Sequence, residues 1–182
     1  MSQTLEASGQ TGLDRRQFLA RTTAAAALMT ISGSALLHTT EAWGLEAKAL
    51  KPEVMRTIIK MARDIYPHDR LADKYYAIAC KTYDEKAASD PALKSLCEEG
   101  VKHFDAVAMQ EHKVPYVEVP WEAQRVAILR ANQDNPFFQK LRGDLVVNLY
   151  NQKEVWPLFG YEGESASKGG YIDRGFNDIE WL

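Results

Sequence analysis

Cysteine and histidine are scarce. The 182-residue chain has two cysteines and four histidines, thin material for a metal centre, which draws its ligands mainly from Cys, His and carboxylates. Charge of one sign is lacking too. The formal net charge is -3, which leaves no basic footprint for nucleic acid and no polybasic patch for anionic lipid. No phosphate loop, no Gly-x-Gly-x-x-Gly after a strand and no Cys-x-x-Cys-His haem attachment occurs. No run reaches the roughly 20 strongly apolar residues that a membrane span needs. Internal repeats are missing. What remains is 46% hydrophobic and 26% charged, an ordinary globular composition, at a length that suits one domain.

Residues 14–20 read Asp14-Arg15-Arg16-Gln17-Phe18-Leu19-Ala20. The pair Arg15-Arg16 followed by x-Phe18-Leu19 resembles the twin-arginine export signal. An alanine-rich, weakly apolar run from Thr22 to Leu37 follows, and then small residues. That order is the layout of a cleaved leader. Thr40-Glu41-Ala42 and Ala47-Lys48-Ala49 are the two candidate cleavage sites. Residues 1–42 are therefore read as a leader. They carry Arg15, Arg16 and Arg21 against Glu6, Asp14 and Glu41, so their removal leaves the net charge unchanged. The twin-arginine route moves folded proteins, which suits a chain that must meet a cofactor or a partner before export.

Residues 43–155 read as a helical domain. Val54, Ile58, Met61, Ala62 and Ile65 form one apolar stripe behind Pro52, ended by Tyr66-Pro67. A second helix is expected from Leu71 to Ala87, with Asp69 capping it. Its stripes are Leu71, Tyr75, Ile78, Ala79 and Tyr76, Cys80, Tyr83, Ala87. Ser89 or Asp90 with Pro91 opens a third helix that runs to Lys113. Val114–Pro120 is a connector or a lone extended strand. Pro120 starts a fourth helix to Ala131, and Asn135-Pro136 opens a fifth to Tyr150. The expected fold is all-α, a compact bundle of about five helices.

Few constellations carry chemistry. Glu99 and His103, at i and i+4, share one helix face and could ligate a metal with help from elsewhere, or form a local pair. His103 and His112 lie on opposite faces. His68-Asp69 follows a proline in a loop, where site residues often sit, but no nucleophile motif accompanies it. Cys80 and Cys97 fall on apolar faces of consecutive helices. They could form a disulfide, remain free buried thiols or bridge to another subunit.

Residues 156–182 form an irregular arm with six of the 18 aromatic residues and five of the 11 glycines. The rings are Trp156, Phe159, Tyr161, Tyr171, Phe176 and Trp181, with Arg174 among them. Aromatics and arginine dominate interface energy, and the glycines free the backbone for turns. The rings must lie on this domain's helices or on another protein.

The mature chain resembles the small subunit of gluconate 2-dehydrogenase (the subunit 3 family). The likeness is carried by Ile65-Tyr66-Pro67-His68-Asp69, Tyr75-Tyr76, Gly100-Val101 with Phe104-Asp105, Phe137-Phe138-Gln139-Lys140-Leu141 and Glu154-Val155-Trp156. Its most specific part is the ending, Gly160-Tyr161-Glu162-Gly163 through Gly169-Gly170-Tyr171 to Arg174-Gly175-Phe176 and Asp178-Ile179-Glu180-Trp181. The resemblance implies a non-catalytic partner of a large FAD-dependent subunit of the glucose-methanol-choline type, often with a cytochrome c subunit bearing haem. It implies a periplasmic complex, associated with the membrane through its other chains, whose small subunit carries the flavoprotein through the twin-arginine translocase. It implies no catalytic, cofactor or metal residue in this chain. Two alternatives stand beside it: a free-standing periplasmic metal-dependent enzyme using His68, Asp69, Glu99 or His103, and a stand-alone periplasmic binding protein.

Overall fold

The computed structural model describes residues 47–172. Among them are five α-helices and no strand: α1 (Pro52–Ile65), α2 (Asp73–Ala87), α3 (Pro91–His112), α4 (Glu122–Ala131) and α5 (Pro136–Tyr150). Helices α1 and α3 each touch all four of the others, so they form the centre of the bundle. No described helix is long and apolar enough to cross a membrane.

Local chemistry sets three of the starts. Pro52 sits in the first turn of α1, where its missing N–H costs nothing. Asp90 accepts the Ala92 and Leu93 N–H groups at 3.0 and 3.1 Å and caps α3. Asn135 does the same for Phe137 and Phe138 at 2.9 and 3.3 Å and caps α5. Each such cap is worth about 1 kcal/mol. Helix α3 stops at Lys113, whose φ of 65° is left-handed.

Two starts differ from the expected ones by two residues, in each case because an arginine side chain holds a carbonyl ahead of the helix. Helix α2 begins at Asp73, with Ala72 at the cap position and no side-chain bond there; Asp69 does not cap it. Leu71 is in the core, its N–H bonds the His68 carbonyl and its own carbonyl accepts from Arg63. These bonds close a turn where the pattern suggested helix. Helix α4 begins at Glu122 rather than Pro120. The Arg125 guanidinium takes the carbonyls of Val119 and Pro120 at 2.7 and 3.3 Å, holding them ahead of the helix. The connector before it contains a 3-10 turn, Tyr116–Glu118, rather than a strand.

The core holds Ile58, Met61, Phe104, Ile128, Phe137, Leu141, Leu145 and Leu149, all sealed from solvent. Burying each contributes about 1.5–3 kcal/mol. The α2 face through Tyr76, Cys80, Tyr83 and Ala87 is buried as expected, whereas Ile78 is 48% exposed. Ile78 lies two residues from Tyr76 and from Cys80, about 200° around the helix, which turns it outward. Helices α3 and α5 meet at Gly100. A Cβ there would fall 2.3 Å from Cγ of Phe137 and 2.5 Å from its Cβ. The second of these atoms is fixed to the backbone, so the close approach of the helices requires glycine.

Candidate functional site

Chain entry into the arm is fixed by α2 and α5. The Gln152 side chain donates to the carbonyls of Tyr75 and Asn148 at 2.9 and 3.0 Å, and Val155 is sealed in the core. A 3-10 turn, Trp156–Phe159, follows, so the arm is less irregular than the sequence suggested. The Trp156 indole N–H donates to the Tyr150 carbonyl at 2.8 Å. Tyr161 stands edge-on to Trp156 with ring centres 5.3 Å apart. Gly163, at φ 101°, lies against the same indole: an added Cβ would come within 3.3 Å of it.

Phe159 rests on His68 and Tyr150, at 5.0 and 5.8 Å between ring centres. His68 Nε2 and the Tyr150 hydroxyl share a hydrogen bond of 2.6 Å. Loss of solvent and the nearby Arg63 lower the His68 pKa, against the pull of Asp69, while burial raises that of Tyr150. The contact is therefore a neutral imidazole against a phenol at neutral pH. Tyr66 joins from the end of α1: its ring is edge-on to Tyr150, and its hydroxyl donates to the Arg142 carbonyl. The loop histidine thus supports the arm, and its hydrogen bond goes to Tyr150 rather than to Asp69.

Beyond Gly163 the arm changes character. Ala166–Lys168 makes a second 3-10 turn. Lys168 Nζ donates to the Glu162 carbonyl and lies 3.8 Å from its carboxylate. Gly170 N–H closes onto the Ser165 carbonyl at 2.8 Å. After this braced loop Tyr171 is 56% exposed and Ile172 83% exposed. Ile172 was not among the expected contact residues; its place next to Tyr171, after two glycines, was the available signal. The arm therefore has a half that rests on the bundle surface, Trp156 to Tyr161, in which Phe159 and Tyr161 stay 44% and 47% exposed, and a presented half that ends in Tyr171 and Ile172. Arg174, Phe176 and Trp181 lie outside the described residues, as do the export-signal residues Arg15, Arg16, Phe18 and Leu19.

The metal candidates are not brought together. Glu99 accepts from the Ser95 hydroxyl at 3.1 Å, while His103 Nε2 pairs with the Asn132 side-chain oxygen at 2.9 Å. Among the described residues no group of three His, Cys, Asp or Glu side chains is placed to hold a metal ion. A cleft of about 520 Å³ opens between α1, α3 and the connector. Lys51, Arg56 and Lys102 line it against Glu53, Glu98, Asp105 and Glu118, so its charges nearly offset one another.

Cys80 and Cys97 are separate thiols, both fully buried. Burial raises both, Cys97 to about 11, so neither is a thiolate at neutral pH. Alkylation of the native protein should therefore be slow. Denaturation without reductant should expose two reactive thiols, read by mass. Labelling that appears only after reduction would instead show a bridge.

Sequence reasoning missed the buried polar contacts. Arg125 grips Asp64 with two parallel bonds, Nε to Oδ2 at 2.7 Å and Nη2 to Oδ1 at 2.9 Å. The Tyr116 hydroxyl donates to the same carboxylate at 2.9 Å. Asp64 interrupts the stripe Met61, Ala62, Ile65, and Arg125 shares a face with Ile128 and Leu129. A charge on an apolar face was the signal. Comparison with family models, with curated proteins and with solved structures found no match.

Proposed function

We propose that this chain is the non-catalytic small subunit of a periplasmic flavoprotein dehydrogenase acting on a sugar or sugar acid. It assembles with the FAD-bearing large subunit and takes it through the twin-arginine translocase. The observation that carries this reading is the divided arm: a first half rested on the bundle through Trp156 and Phe159, with Phe159 and Tyr161 still 44% and 47% exposed, then a braced loop that ends with Tyr171 and Ile172 in solvent. Rings presented at low conformational cost on a fixed base are what an interface anchor needs. The likeness of the ending to the gluconate 2-dehydrogenase subunit 3 family names the partner class. FAD belongs to that large subunit and haem to a cytochrome c subunit; this chain supplies binding and the export address. A metal site built on Glu99 and His103 would need both on one ion, and the two side chains turn to different neighbours.

Export is tested with Arg15→Lys plus Arg16→Lys. Both this chain and the flavin dehydrogenase activity should stay in the cytoplasm of that variant, measured by fractionation and dye reduction. Undiminished periplasmic activity contradicts the carrier role.

A further inference from the structure

The described domain begins under the hold of a single side chain. Asp84, near the end of α2, accepts three consecutive backbone N–H groups: Lys48 at 2.8 Å, Ala49 at 2.9 Å and Leu50 at 2.8 Å. Burial pushes this carboxyl up, but the three N–H bonds outweigh it and hold Asp84 below the usual carboxylate range. It is a carboxylate at neutral pH, and bonds to an ionised acceptor are the strong kind. Leu50 is in the core, with Ala47 and Ala49 packed against it. Nothing in the spacing of residues 47–50 foretells this clasp, because its acceptor lies on another element.

The clasp bears on processing. Ala49–Leu50, the second of the two candidate bonds, lies inside it. The amide N–H of that bond points at Asp84, and the Leu50 side chain fills the core. A peptidase needs the backbone around its target free, so access follows burial and hydrogen bonding rather than residue type. The first candidate, Ala42–Trp43, precedes the described residues. Residues 43–47 separate it from the clasp, and an extended chain of that length reaches at most about 18 Å. A protein that crosses the membrane folded meets its peptidase with the clasp already closed.

We infer that Asp84 selects the processing site: the leader is removed at Ala42–Trp43, and Ala49–Leu50 is closed to the peptidase although its small residues suit cleavage. This rests on the reading of residues 1–42 as a twin-arginine leader, and the experiment separates the two. The full-length chain is expressed with its leader, recovered from the exported fraction, and its N-terminus is read by sequencing and intact mass. A start at Trp43 is the expected result. A start at Leu50 overturns the clasp while the leader reading stands. An exported chain that still begins at Met1 overturns the processing inference, and a chain that is never exported overturns the leader reading with it. In Asp84→Ala a fraction of the exported chains should begin at Leu50; a uniform Trp43 start there would remove Asp84 from the selection. The wild-type terminus decides the site whether or not that variant folds.

Discussion

Arg125→Ala should lower the free energy of unfolding by about 3–5 kcal/mol, the usual cost of stranding one member of a buried ion pair. The side chains of Arg125 and Asp64 are 5% and 1% exposed, so water cannot replace the lost partner. Without the guanidinium, the Asp64 carboxylate keeps the Tyr116 hydroxyl, and the carbonyls of Val119 and Pro120 lose the donor that holds them ahead of α4. Arg125→Lys should recover only part of the loss, because an ammonium cannot make the two parallel bonds of a guanidinium. The pair Asp64→Leu plus Arg125→Met should cost less than Arg125→Ala alone, since no charge is left buried. Urea unfolding of the variants reads all of these. A loss under about 1 kcal/mol for Arg125→Ala, the range of an exposed pair, would mean that the site is open to water.

Removing residues 160–182 should abolish association with the proposed large subunit and leave the bundle folded. The cut falls just after Phe159, so the contacts of Phe159 with His68 and of Trp156 with the Tyr150 carbonyl both survive. None of the large side chains of residues 160–172 is in the core. What is lost beside the bundle is Tyr161 and Gly163 against Trp156, of which the aromatic contact is worth about 0.5–1.5 kcal/mol. What is lost from the proposed interface is larger. A central anchor contributes about 2 kcal/mol or more, roughly 30-fold in Kd, and Tyr171 and Ile172 go together. Circular dichroism should keep its helical signal while co-purification fails. Loss of the helical signal would instead make the arm part of the domain's own core.

Where a boundary rests on adjacent residues, the sequence was readable. Asp90-Pro91 and Asn135-Pro136 are a side-chain cap and a helix-compatible proline in direct succession, and both helices start there. The starts of α2 and α4 were not readable to the residue, because Arg63, on the preceding helix, and Arg125, in the first turn of α4 itself, hold the carbonyls ahead of each start. Ile78 fits one stripe on paper, but α2 buries its other face. Asp64 with Arg125, and Asp84 with Lys48 to Leu50, join residues 34 to 61 positions apart, and no local period encodes such pairs. The arm was half legible. Ring and glycine content marked it as a contact element, while its division into a half resting on the bundle and a presented half depends on His68 and Tyr150, which belong to other elements.

The most direct test is the native particle that contains this chain. It is isolated from the exported fraction through a tag on this chain, weighed by native mass spectrometry and scanned from the ultraviolet to the visible. A single particle should hold this chain and one large flavin-bearing chain, with flavin absorbance and, where the cytochrome subunit is present, haem bands. A chain recovered alone, without flavin absorbance, from cells whose flavin dehydrogenase is exported normally would contradict the proposed role.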